Sequence, residues 1–314
     1  MGRLAVLVER ATINRSEELE ALLRFRMAAE ALGHDIHFLF RPELRRIPRY
    51  DALFIRALTD PMNATYVAAR IAEMHGKPTL DDSRSIAICC DKVHMYRRLM
   101  RHGVPVPRTA ILTADQIEPA IAEQLFADIG RQIVLKAPNT SFSSHVERVT
   151  TADEFVRIGR RFLHRAERIV AQEFIASTFD WRVGILAGEP LFCCRYMIPD
   201  ETFKIQATVN GHMVMAKVEP VPLAETPPAI VATAIAAARA VGGGLYGVDL
   251  KQSNGDVVVI EVNDNPTINA EEEDRYAPDV YARIVTHLMR RPTVPVTRPT
   301  HAQSDGFTKA PHVL

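Results

Sequence analysis

The 314 residues include 38 basic and 38 acidic side chains, so the formal net charge is zero, and 47% of the chain is hydrophobic. That balance leaves no overall field to attract nucleic acid or a membrane surface. The length allows two or three lobes, each with its own core.

Residues 4–8 read as a buried strand, too short an apolar run for a signal peptide. Asn14, with Glu17 three residues on, is a helix cap, and Leu19, Leu22, Leu23 and Met27 recur at helical spacing up to Gly33. Residues 36–40 and 52–55 are further strands and 62–75 a helix, an alternation that predicts a small parallel α/β lobe. Arg56 sits just past a strand end, where open α/β sheets present ligand groups. With Tyr66 and Arg70 it is a candidate for holding a substrate carboxylate; plain surface or packing roles are the alternative.

The adjacent pairs Cys89-Cys90 and Cys193-Cys194 lack metal-ligand spacing and read as buried thiols of a reducing compartment. Residues 83–102 are mainly helical, with Asp91 capping a second helix. Lys92 then falls in a first helical turn, where the dipole disfavours a cation unless an anion lies nearby. It is a phosphate-contact candidate, against a solvated lysine. Residues 103–107, Gly-Val-Pro-Val-Pro, form a stiff connector. Thr113 with Gln116, and Thr151 with Glu154, are capping boxes that each open a helix. Between them the apolar strand 133–138 carries Lys136, which must reach water or an anion.

Residues 169–175 are the next strand, and 183–186 and 190–197 a meander turning at Gly188, with Arg182 and Arg195 along it. The Ala-rich helix 227–241 is too short to span a bilayer, and a cytoplasmic protein is expected. Residues 276–289 close the fold. From 291 the Pro/Thr-rich tail has no apolar period and is expected to be disordered.

The most informative stretch is 247–266. Two β-branched-rich runs flank Ser-Asn-Gly-Asp, a strong hairpin signal. Strand alternation puts Val257, Val259, Glu261 and Asn263 on one face. A two-residue turn on Asn254-Gly255 would set Asp249 opposite Ile260, on the other face from Glu261. A three-residue turn, with Gly255 in a left-handed bulge, pairs Asp249 with Val259 and gathers Asp249, Glu261 and Asn263. We expect the bulged turn and a cation, because two carboxylates on one sheet face repel without one. Their hard oxygens suit magnesium or manganese, which are usually shared with substrate phosphates. A solvated hairpin with incidental acids is the plain alternative.

Asp249 and Glu261-Val262-Asn263-Asp264-Asn265-Pro266, preceded by Val134-Leu135-Lys136 and Gln172-Glu173-Phe174-Ile175, resemble the ATP-grasp enzymes, and within them the RimK-like carboxylate–amine ligases. Phe54-Ile55-Arg56, Asp91-Lys92-Val93 and Phe179-Asp180-Trp181-Arg182 narrow the likeness to uncharacterised RimK-like proteins that often carry an extra N-terminal module, which is not expected here. The resemblance covers residues 50–290. It implies an α/β and α+β fold: a parallel α/β N-terminal lobe (1–86), then a central lobe (87–172) and a C-terminal lobe (173–290) clasping ATP. Gln172, Glu173, Phe174 and Ile175 would bound the adenine, with backbone hydrogen bonds from Glu173 and Ile175. Lys92 and Lys136 would contact phosphates, and Asp180 would lie near the ribose or substrate. Arg182 and Arg195 would serve the transferring phosphoryl group. Asp249, Glu261 and Asn263 would hold Mg2+ or Mn2+, expected as two ions.

One departure is the phosphate loop 139–145, which lacks the family's usual glycines, so that Ser143 and Ser144 hydroxyls would substitute. The implied reaction joins a small-molecule carboxylate to an amine through an acyl phosphate. Amino acids or a peptide end are the expected partners, Asn265 is a further substrate candidate beside Arg56, Tyr66 and Arg70, and a homodimer is left open. A small-molecule kinase or a non-catalytic ATP-binding regulatory module would use the same machinery.

Overall fold

The computed structural model describes residues 1–139, 145–209, 212–253 and 255–290. Ser143, Ser144 and the tail from 291 lie outside the described residues. The N-terminal unit alternates β1 (Arg3–Val8), α1 (Ser16–Ala31), β2 (Asp35–Leu39), β3 (Ala52–Arg56), α2 (Ala64–Met74) and β4 (Thr79–Leu80). Its strands form a parallel sheet ordered β2-β1-β3-β4, as the alternation requires. Asn14 does not cap α1; it ends a short 3-10 turn, and Arg15 occupies the cap position without a side-chain bond.

Two helices follow, α3 (Ser83–Cys89) and α4 (Lys92–Arg101), and the Asp91 carboxylate accepts from the Val93 and His94 N–H groups as a cap should. The second sheet is antiparallel. It is built from β5 (Thr109–Leu112), β6 (Ile133–Lys136), β7 (Val146–Val149) and β8 (Ile169–Glu173), with α5 (Pro119–Asp128) and α6 (Ala152–Leu163) packed together. The Thr113 box opens only a 3-10 turn, because Pro119 restarts the chain as α5. Thr151 caps α6 as expected.

The third sheet takes β9 (Phe179–Leu186), β10 (Glu189–Met197), β13 (Lys217–Val221), β14 (Leu245–Ser253) and β15 (Asp256–Asp264), in the order β13-β10-β9-β14-β15. A small hairpin of β11 (Gln206–Val209) and β12 (His212–Met215) interrupts it. One face carries Trp181, Val183, Val248, Leu250, Val259 and Val262 into a core with α4 and α7 (Pro228–Val241). On the other face, Phe192 and Cys194 meet Leu4, Val6 and Phe54 of the first sheet and α8 (Val280–Met289). That second face is apolar where it meets the N-terminal unit and charged beyond it, which is where the cleft lies. The four cysteines are free thiols, Cys90 half-buried and the others buried. No helix among the described residues is long and apolar enough to cross a membrane.

Candidate active site

The cleft is set by the hairpin β14–β15, and by a different device from the expected turn. Ser253 pairs with Asp256, so only positions 254 and 255 separate the strands. That register would set Asp249 opposite Ile260. Instead the register shifts between Leu250↔Val259 and Asp249↔Glu261, leaving Ile260 as the extra residue of a β-bulge. Asp249 and Glu261 therefore face each other, and Asn263 follows opposite Gly247. The expected three-residue turn is wrong, and so is the grouping of Val257 and Val259 with Glu261; those valines point into the core with Val262. The gathering of the three oxygen-bearing residues is right. A side chain at position 247 would have its Cβ 2.7 Å from Pro266, so glycine lets the chain after β15 close over this end.

Beyond the bulge, β15 is an edge strand whose free polar groups are covered. The Ile260 carbonyl accepts from the Tyr96 hydroxyl, and the Val262 N–H lies 3.2 Å from Met95 Sδ; the Val259 N–H donates to Pro105. Thus α4 and the Gly-Val-Pro-Val-Pro connector pin the bulge in place, and both Ile260 and Glu261 line the cleft.

The charged groups are paired. Arg182 grips Asp249 bidentately at 2.6 and 2.7 Å, both side chains buried. Lys92 reaches Glu261 at 3.0 Å, which supplies the anion that its place in the first turn of α4 requires. Lys251 lies 2.5 Å from Asp180. Lys136 donates to Gln172 Oε1 at 2.7 Å and to the Tyr96 hydroxyl at 2.8 Å. Burial alone raises the Glu261 carboxyl, but Lys92, Lys136 and Arg182 outweigh it and the net shift is downward. Burial lowers Lys136 to about 8, with Glu261, Asp180 and Asp249 opposing the fall. For Arg182 burial acts downward, yet Asp249 and Tyr196 prevail and it stays well raised.

The donor set fits a hard cation. Asn263 donates its amide N–H groups to Gly247 and Asp249, which leaves its Oδ1 as an acceptor beside both carboxylates. Among the described residues no three His, Cys, Asp or Glu side chains gather that could cage an ion on protein ligands alone. An ion here would be completed by substrate oxygens, as magnesium commonly is.

At the other end, Glu173, Phe174 and Ile175 line the same cleft with Val134, Val146, Phe203 and Ile205. The Ile175 N–H makes no hydrogen bond among the described residues, whereas the Glu173 and Phe174 N–H groups are bonded to Arg108 and Gln132. The Gln172 side chain faces inward, held by Lys136, Tyr96 and Thr109.

Four candidates are placed elsewhere. Arg195 pairs with Trp181, and its guanidinium stacks on Phe179 and Trp181 on the face away from Arg182 and Asp249. A bulge at Leu191, between Pro190↔Ile185 and Phe192↔Gly184, turns it away. Arg70 is exposed and paired with Glu73 of its own helix, and Tyr66 packs in the N-terminal core. Arg56 donates to Asn265 Oδ1 and the Pro266 carbonyl, clamping the first unit to the segment after β15.

Tyr96, Lys204, Lys251, Tyr196 and Glu273 are not among the expected site residues, yet Lys204 and Lys251 line the cleft and Tyr96 and Tyr196 contact Lys136 and Arg182. Lys251 was within reach, two residues from Asp249 on one strand face. Tyr196 stacks under Arg182 and donates to Glu273, a contact no local pattern announces.

An ATP-grasp domain family model matches residues 89–269. A probable alpha-L-glutamate ligase 2 of Pseudoalteromonas atlantica is 24% identical over 89% of this chain and 95% of its own length. In fold, a RimK domain ATP-grasp protein from Sphaerobacter thermophilus aligns at a TM-score of 0.66 with 18% identity, covering 92% of this chain and 100% of that one. A D-alanine–D-alanine ligase from Bacillus anthracis aligns at 0.67 with 16% identity, covering 92% and 96%. With the family match spanning residues 173–175, the cations Lys92, Lys136 and Arg182 and the acid hairpin, the chain belongs to the ATP-grasp family, and its likeness runs to the RimK-like ligases.

Proposed function

We propose that the chain is an ATP- and magnesium-dependent carboxylate–amine ligase, acting on amino acids or a peptide end through an acyl phosphate. The lobes of this reading run 1–86, 87–172 and 173–290, with α4 carrying Lys92 across onto the third sheet. The carrying observation is one sheet face on which Asp249, Glu261 and Asn263 stand among Lys92, Lys136 and Arg182, in a cleft bounded by residues 173–175.

In this reading the Ile175 N–H and the backbone of Glu173 bind the adenine edge, beside Phe174 and Ile260. Asp249, Glu261 and Asn263 hold magnesium, which when bound neutralises phosphate charge and orients the terminal phosphoryl group. As phosphates enter, Lys92 and Arg182 exchange their carboxylate partners for phosphate oxygens, and Lys136 adds a third cation. A substrate carboxylate oxygen attacks the terminal phosphorus and ADP leaves. An amine then attacks the acyl carbon, phosphate leaves, and the amine proton passes to solvent. No protein nucleophile takes part.

The test is ADP release with Mg-ATP and pooled amino acids and small peptides, with and without hydroxylamine, read by mass spectrometry. The reading predicts a hydroxamate and an amide product with one ADP and one phosphate each. A stable phosphorylated product without hydroxamate would replace the ligase by a kinase.

A further inference from the structure

Arg182 is held twice. Its Nε and Nη2 donate to the two oxygens of Asp249 at 2.6 and 2.7 Å. The second hold is Tyr196 of β10, which pairs with Asp180 and so shares the sheet face of Asp180 and Arg182. The guanidinium carbon lies 4.5 Å from the centre of the Tyr196 ring, and Nη1 is 3.4 Å from the Tyr196 hydroxyl. That hydroxyl donates in turn to Glu273.

Glu273 is 2% exposed and has no ion pair of its own among the described residues. One of its oxygens accepts from the Tyr196 hydroxyl and the other from the Asn269 N–H. A buried carboxylate resting on neutral donors is a costly way to fill space, because an uncharged side chain would avoid the desolvation. Its charge is felt at Arg182, where burial acts against the charged form and Asp249, Tyr196 and Glu273 act for it. The turn that carries Glu273 is itself fixed from the N-terminal unit and α8: Asp274 accepts from Arg24 and from Tyr281.

In the proposed reaction Arg182 gives up Asp249 as phosphates enter, and with it both bonds at Nε and Nη2. The ring, the hydroxyl and the carboxylate behind the hydroxyl are the contacts that stay. We infer that Tyr196 and Glu273 are positioning residues, which hold Arg182 on the terminal phosphoryl group of ATP once Asp249 has released it. This rests on the ATP-dependent reading above.

The experiment is calorimetric binding of Mg-ATP and Mg-ADP to the full chain, to Tyr196→Phe, Glu273→Gln and Arg182→Met, and to Arg182→Met combined with each of the other two. Tyr196→Phe keeps the ring and removes the hydroxyl; Glu273→Gln keeps the shape and removes the charge. The quantity read is the preference for ATP over ADP, which reports the terminal phosphate. Each single change is expected to lower that preference about three- to tenfold, the range for one hydrogen bond, with Mg-ADP affinity unchanged. Arg182→Met should lower it by at least as much, and the double variants no further than Arg182→Met alone, since groups acting through one side chain are not additive. If Glu273→Gln does not fold, Tyr196→Phe and its double variant decide the matter. Four results would overturn the inference: a preference unchanged in the single variants with only the melting temperature lowered, equal weakening of both nucleotides, a further loss in the double variants, or a wild-type chain without preference. Failure of the wild-type chain to bind either nucleotide would overturn the ATP reading itself.

Discussion

The hairpins β9–β10 and β14–β15 are built alike and used in opposite ways. Each has a two-residue gap between its innermost pairs, and each has one bulge further along. In β14–β15 the extra residue, Ile260, brings Glu261 onto the face of Asp249. In β9–β10 the extra residue, Leu191, carries Arg195 off the face of Arg182. Unbroken pairing from Leu186↔Glu189 would have set Arg195 opposite Asp180, on the cleft side. A single inserted residue exchanges the two faces of a strand. The charged residues of a sheet are therefore sorted into chemistry and packing by bulges as much as by their identity.

The sharpest way to break this comparison is at the acids. Glu261→Gln or Asp249→Asn is expected to lower turnover by about a hundredfold or more, with circular-dichroism melting curves close to wild type. Wild-type-like turnover in either would remove the hairpin from the site. A matched pair of arginines comes next. Arg182→Met should cost on the order of a hundredfold in turnover, whereas Arg195→Met, on the packing face, should leave turnover within about twofold and act on melting alone. A large kinetic effect from Arg195 would place it in the cleft after all.

The third expectation concerns Lys136. It faces Tyr96 and Gln172, with Glu261, Asp180 and Asp249 acting on it across the cleft, and burial holds its folded-state value at about 8 against 10.5 for the free side chain. Between those values the unfolded chain binds more protons, so this group makes the ligand-free protein more stable as pH rises through that window. Phosphate binding wants the charged form. Nucleotide affinity should therefore be full below pH 8 and fall above it, approaching tenfold per unit, while Lys136→Met flattens that limb. The smallest effect expected is that of Tyr96→Phe, which leaves the Ile260 carbonyl without its donor and should cost about 1–3 kcal/mol in denaturant unfolding.

Much of this was legible in the chain. Alternation and capping located the first sheet, α4 and α6, and the composition of 247–266 pointed to a hairpin of acids. The bulges were not legible, because Leu191 and Ile260 are apolar residues of apolar strands like any other; on β15 the bulge is covered from outside the hairpin, by Tyr96 and Met95. Asp249, Glu261 and Asn263 therefore share a face through the bulge and not through the expected turn, and Arg195, expected beside the transferring phosphoryl group, lies on the packing face. Thr113 made a sound box, but the proline at 119 decided where α5 begins. Long-range partners such as Tyr196 and Glu273, 77 residues apart, leave no local trace.

The most direct test of the ligase reading follows oxygen. Amino acids and small peptides labelled with 18O in their carboxyl groups are incubated with the full chain, Mg-ATP and an unlabelled amine pool, and the released phosphate is weighed by mass spectrometry. Attack of a carboxylate on the terminal phosphorus predicts one 18O in each phosphate, matched to an amide product lacking that oxygen. Phosphate free of label, with ADP formed in step, would contradict an acyl phosphate and with it the ligase.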